Sequence, residues 1–149
     1  MRRGYLFTAL VVVFLDQITK YLVRGIIDPF ETIKVLPFLQ LVNVRNEGAA
    51  FGLLKGLGNT TFMVISLIAI VFVLYLLIKG KDDGPGLSFI LGGAAGNLID
   101  RAFFGNVTDF IDLFAGRLHW PAFNIADSAL TLGLLLMLLR SIFHRQKSL

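Results

Sequence analysis

Four stretches of the chain stay apolar for long enough to cross a bilayer, which takes about 20 mostly hydrophobic residues: residues 4–23, 60–78, 85–104 and 122–143. The second carries no charge at all. The first follows Arg2 and Arg3, as the core of a secretory signal would, but it contains Asp16 and Lys20 and no Ala-x-Ala cleavage pattern, so it reads as a retained helix. Residues 24–59 form a connection of 36 residues, long for a loop without structure of its own. Within it, residues 32–35 and 39–44 are rich in β-branched and apolar side chains, and Asn46-Glu47-Gly48 supplies turn chemistry. The pattern predicts a single-domain, all-α membrane protein over residues 1–149, with four transmembrane helices and a small β-sheet between helices 1 and 2.

Lys and Arg placement predicts the orientation. Arg2 and Arg3 precede the first helix, Lys79 and Lys81 fill the short second link, and Arg140, Arg145 and Lys147 close the chain. An even number of crossings puts all three groups on the cytoplasmic side, although Lys34, Arg45, Lys55 and Arg117 on the other side weaken the bias. Residues 24–59 and 105–121 then lie outside, which makes the sheet extracytoplasmic, with His119 and Trp120 at the level of an outer interfacial belt. Such a sheet could hold an extended peptide along a strand edge or simply cover the surface; the pattern alone allows both.

Composition agrees with a membrane setting. Of 149 residues, 56% are hydrophobic and only 16% charged, against about 25% charged in soluble domains. The net charge of +4 is scattered among apolar runs and gathers into no basic stripe, so nucleic acid is not an expected partner. The absence of cysteine excludes disulfides and thiolate chemistry.

Against this background the acidic residues stand out, because ionisable groups at membrane depth face a cavity, a partner or a reaction. The expected topology brings four of the ten, Asp16, Asp100, Asp109 and Asp127, to one level near the outer face. Asn97 and Asp100 are three residues apart on the third helix and share a face, and Asn124 and Asp127 repeat that spacing at the start of the fourth. Each feature also has a plainer reading. Asp100 and the adjacent Arg101 could form an ion pair, Asn124 could cap its helix, and Gly92 and Gly96 match the small-xxx-small packing pattern. Asp109 lies in an apolar stretch, Val107-Thr108-Asp109-Phe110. If it approached Asp127, the two carboxylates could not both ionise easily, and a shared proton would suit acid–base hydrolysis. No Gly-x-Ser-x-Gly or His-Glu-x-x-His occurs, and a metal site built from His119, Asp109 and Asp112 has no recognised spacing. No metal and no cofactor are expected. A small proton-coupled transporter, or a structural membrane protein using Asn, Gly and Asp for packing, remain as other classes.

Five motifs together resemble the bacterial lipoprotein signal peptidases, or signal peptidase II: Asp16-Gln17-Ile18-Thr19-Lys20, Asn46-Glu47-Gly48-Ala49-Ala50-Phe51-Gly52, Gly96-Asn97-Leu98-Ile99-Asp100-Arg101, Val107-Thr108-Asp109-Phe110-Ile111-Asp112 and Phe123-Asn124-Ile125-Ala126-Asp127-Ser128. The resemblance implies a multi-pass aspartic endopeptidase of the bacterial cytoplasmic (inner) membrane, with both termini cytoplasmic and its site at the outer face. It implies cleavage of diacylglyceryl-modified prolipoproteins just before the lipid-modified cysteine, and inhibition by the cyclic peptide globomycin. Carried over by motif, Asp109 and Asp127 become the catalytic dyad, with Asn46, Gly48, Asn97, Asp100, Arg101, Asn124 and Ala126 as the supporting and substrate-binding shell. Asp16 and Lys20 become a structural pair bracing the first helix. Besides the prolipoprotein, membrane lipid is an expected partner.

Overall fold

The computed structural model describes residues 2–48, 58–80 and 84–146. Ala49 to Gly52 of the second motif, and the charged residues Lys55, Lys81, Asp82, Asp83 and Lys147, lie outside the described residues. The elements run α1 (Arg2–Ile26), β1 (Ile33–Leu36), β2 (Leu39–Asn46), α2 (Gly58–Lys79), α3 (Gly84–Phe104), β3 (Val107–Ala115), β4 (Leu118–His119) and α4 (Ile125–Gln146).

α3 packs against each of the other three helices, and its glycines explain how. A Cβ on Gly92 would lie 2.6 Å from the Val12 Cβ, and one on Gly96 would lie 2.6 Å from Asp16 Oδ2, so this face admits α1. A Cβ on Gly86 would lie 2.8 Å from the Gly133 carbonyl oxygen, and one on Gly93 would collide with the Ala126 carbonyl oxygen, so a second face admits α4. Lipid is as apolar as leucine, so close backbone approach, rather than the hydrophobic effect, drives this association. Where apolar side chains are buried, Ala9, Val73, Leu77, Leu87 and Leu91 join α1, α2 and α3. The outward helix faces are apolar and exposed.

Among the described residues, three helices, α1, α2 and α4, are long and apolar enough to cross a membrane. Four such segments were expected, and α3 lacks the apolar signature of the other three. That helix is rich in buried small and polar residues, because it lies among its neighbours instead of against lipid.

The sheet also differs from expectation. Its order is β1-β2-β3-β4, antiparallel throughout, so half of it comes from the connection between α3 and α4 rather than from the one between α1 and α2. β2 and β3 align Leu39 with Leu113 and Asn46 with Val107, with a bulge between Leu41 and Val44. Val107-Thr108-Asp109-Phe110-Ile111 was legible as an apolar stretch, but its partner strand, Leu41 to Asn46, precedes α2 and α3 in the chain, and nothing local announces that pairing. Gly105, at φ 73°, makes the left-handed step that ends α3 and admits β3 two residues later. Val23 and Ile27 at the end of α1 pack on Phe110 and seat the sheet on the bundle.

Candidate active site

β3 and the N-terminus of α4 carry the two acids. The Thr108 N–H donates to Asp100 Oδ2 at 2.9 Å, tying the strand to α3 just before Asp109. The N–H groups of Phe110 and Ile111 both donate to the Phe123 carbonyl, at 3.0 and 2.8 Å, and bring the segment before α4 against the strand. α4 therefore begins at Ile125, not near residue 122 as its apolarity suggests, and Asp127 falls in its first turn.

Asn124 caps this helix. Its Oδ1 accepts from the Asp127 N–H at 2.9 Å, and Asp127 Oδ2 accepts from the Asn124 N–H at 3.3 Å, a reciprocal capping box with aspartate in the usual glutamate place. Asp16 Oδ1 satisfies another free amide of the first turn, accepting from Ala126 N at 2.9 Å. The Asn124 side chain also reaches the other acid: its Nδ2 donates to Asp109 Oδ1 at 2.6 Å. Capping and a contact with Asp109 are thus two jobs of one buried side chain.

Two further amides complete the surround. Asn46 Nδ2 donates to Asp109 Oδ2 at 2.8 Å, with its Oδ1 held by the Gly48 N–H at 2.8 Å. Gly48 has φ 105°, and a Cβ there would collide with the Phe62 ring, so this turn requires glycine. Asn97 Nδ2 donates to Asp127 Oδ1 at 2.8 Å. Asp109 is 2% exposed. Burial first, and the charge of Asp127 second, push its carboxyl up to about 7, against the hydrogen bonds from Asn46 and Asn124 and the charge of Lys20. Both acids line an open groove of about 1390 Å³, with Asn46 and Arg101 beside them and Phe62 and Leu135 among its apolar wall.

Asp16 and Lys20 meet at 2.8 Å with no exposure to solvent. Asp100 does not pair with Arg101; its charged partners are Arg24 at 3.3 Å and Lys20 at 3.6 Å. Consecutive helix residues point in different directions, and Arg101 turns toward the groove, over the Phe62 ring at 5.4 Å, with Nη1 on the Asn97 carbonyl at 3.4 Å. Its buried Nε has no hydrogen-bond partner among the described residues. Asp109 and Asp112, three apart on a strand, face opposite ways. Asp112 instead binds Gln40 at 2.6 Å and His119 Nδ1 at 2.9 Å. Among the described residues, no three His, Asp or Glu gather as a metal site.

Three contributors carried no role in the sequence. Gln17 Nε2 reaches Asp16 Oδ2, Asp100 Oδ1 and the Gly96 carbonyl at 3.1 to 3.2 Å. An amide beside an acid in an apolar helix was its only signal. Arg24 holds Thr108 Oγ1 at 3.1 Å as well as Asp100, and the Phe123 carbonyl is main chain and leaves no mark in a sequence.

Apolar helices around a polar centre, with two amide-bound acids opening on a groove at one end, define an integral membrane protein with an acid-pair site. Residues 8–143 match the family model described as signal peptidase (SPase) II. A lipoprotein signal peptidase of Thermodesulfovibrio yellowstonii is 45% identical over 132 residues, covering 89% of this chain and 90% of its own length. One from Syntrophus aciditrophicus is 41% identical over 152 residues, covering 96% and 94%. Two solved structures of bacterial membrane enzymes, determined in meso at 2.3 and 1.9 Å, superpose with TM-scores of 0.87 and 0.81. They are 35% and 37% identical and cover 97% and 92% of this chain, and 90% and 91% of their own. The chain belongs to the signal peptidase II family, and it is a membrane-embedded protease.

Proposed function

We propose that this protease is of the aspartic type and removes the signal peptide from diacylglyceryl-modified prolipoproteins, cutting just before the lipid-modified cysteine. One observation carries the reading: Asp109, its carboxyl raised to about 7, is joined through Asn124 to Asp127 at the edge of an open groove. Asp109 therefore holds a proton near neutral pH. Asp127, as carboxylate, takes a proton from water as the water attacks the scissile carbonyl, while Asp109 gives its proton to the carbonyl oxygen. On collapse the Asp127 proton passes to the leaving amine, and the new carboxyl group returns a proton to Asp109. Asn46, Asn97 and Asn124 hold the carboxyl groups, and Arg101 faces the bound chain in the groove.

In this reading α3 is a fourth crossing. Its 21 residues span about 32 Å at 1.5 Å per residue, enough for the hydrocarbon core, and its polarity is hidden by its neighbours. Four crossings with Lys and Arg inside put both termini in the cytoplasm and the acid pair at the outer face of the bacterial cytoplasmic membrane. There, a substrate anchored by acyl chains in the outer leaflet presents its cleavage point, and a globomycin-type cyclic peptide would occupy the same groove. The relatives' names do not favour a transporter or a purely structural protein.

Purified protein in detergent with a metal chelator, given a diacylglyceryl-modified prolipoprotein, is expected to release a peptide ending at the residue before the modified cysteine, read by mass spectrometry. Cleavage elsewhere, or none on several such substrates, would sink the assignment.

A further inference from the structure

Lys20 is fully buried, and an ammonium carries three N–H donors and no acceptor. Three oxygens surround it: Asp16 Oδ2 at 2.8 Å on α1, with Asn97 Oδ1 at 2.9 Å and Asp100 Oδ2 at 3.6 Å on α3. A neighbour that only donates admits one orientation of the Asn97 amide, with its oxygen toward Lys20 and its NH2 turned away. That NH2 is the group on Asp127 Oδ1 at 2.8 Å. The opposite orientation would set NH2 against ammonium and carbonyl oxygen against carboxylate, in a buried place where mismatched polar groups are strongly disfavoured. Asn124 adds a second donor on the Asn97 oxygen at 3.3 Å and reinforces the choice.

We propose that Lys20 is a positioning residue for the acid pair: by holding the Asn97 oxygen it directs the Asn97 NH2 onto Asp127 and serves the carboxylate form that attacks through water. This rests on the reading of Asp109 and Asp127 as the catalytic pair. It differs from a structural brace within α1, whose effect would be on stability alone and would not depend on Asn97. Lys20 also bears on the other acid, since its charge opposes the upward push on Asp109. Among the described residues, the charged groups around the pair are Asp16, Lys20 and Arg24 from α1, Asp100 and Arg101 from α3, and, along the groove, Arg45 of β2 and Glu47 just after it.

The test uses the full chain in detergent on a diacylglyceryl-modified prolipoprotein, with kcat and KM measured across pH for wild type, Lys20→Met, Asn97→Ala and the two combined. Lys20→Met is expected to lower kcat on the order of 10²-fold, as a misplaced catalytic group does, with KM little changed. Both limbs of its pH–rate profile should move up by about one unit, because the pair loses a nearby positive charge and the donor that serves its ionised member. In the Asn97→Ala background, adding Lys20→Met should lower kcat by no more than about threefold, since the route is already cut.

Lys20→Met strands buried carboxylates. Asp16→Asn with Lys20→Met removes the ion pair as a unit and keeps an acceptor for the Ala126 N–H, so it replaces the single variant if that one does not fold. An unshifted profile in the folded variants, or the same loss of kcat with and without Asn97, overturns the proposal and leaves Lys20 as a brace. A wild-type protein inert on the substrate overturns the proposed activity and this inference with it.

Discussion

α2 and α3 are neighbouring helices of almost equal length with opposite characters. α2 is apolar all round and buries only Val73 and Leu77, while Val64, Ile65, Leu67, Ile68, Val71 and Phe72 stand exposed. α3 buries eleven residues, five of them glycine and two of them Asn97 and Asp100. In water the apolar helix would be the core and the polar one the surface. In a bilayer the order reverses, because side chains as apolar as lipid gain little by leaving it, while small residues allow close packing and polar ones must find partners. The helix with the weaker membrane signature is therefore the one that organises the bundle and supports the acid pair.

The largest effect is expected from giving α3 a side chain where it has none. Gly93→Leu would drive atoms into the Ala126 carbonyl and Leu130, separating α3 from the start of α4. The expected result is loss of folded protein, read by monodispersity in detergent; a folded and active variant would show that the small face does not set the bundle. Asn124→Ala is expected to fold but to cleave on the order of 10²- to 10³-fold more slowly. It should also lose about 1 kcal/mol of stability, because one side chain is both cap and partner of Asp109. Steady-state rates and thermal melts measure the two effects separately.

Asp109→Asn turns the same comparison toward stability. The folded protein holds the Asp109 proton up to about pH 7, whereas the unfolded chain releases it near the ordinary value of 3.8. Between those limits the folded state binds more protons, so this group's contribution to stability falls as pH rises and stays lost above 7. A neutral amide escapes that loss. The variant should melt several degrees higher than wild type at pH 8, by at most about 4 kcal/mol, less one hydrogen bond that the amide cannot accept, and should show no gain at pH 4. Equal melting at both pH values would mean that Asp109 is not held protonated. On α2 the smallest effect is expected: Ile68→Val should change stability by no more than about 0.5 kcal/mol and leave cleavage unchanged.

Much of the fold was legible because the bilayer demands long apolar segments. α1 to α4 overlap the four apolar stretches, and the start of α4 moves from 122 to 125 because Asn124 and the Phe123 carbonyl override the apolar run. Helix order and rise per residue suggested one level for Asp16, Asp100, Asp109 and Asp127, and Lys20, Asn97 and Asn124 link these acids. The partners were less legible. Asp100 and Arg101 are adjacent in the chain, yet Asp100 reaches across to Lys20 and Arg24 on α1. Gln40, Asp112 and His119 meet only because β2 pairs with β3. Helix periodicity reports what lies on one helix face. Contacts between elements far apart in the chain leave no local trace, and much of the support of the acid pair is of that kind.

The most direct test of the central claim compares wild type with Asp109→Asn and Asp127→Asn, each shown to be folded, on one diacylglyceryl-modified prolipoprotein with chelator present. Wild type is expected to cut, and each variant to lose at least about 10³-fold in kcat. Full activity in either folded variant would rule out Asp109 and Asp127 as the catalytic pair.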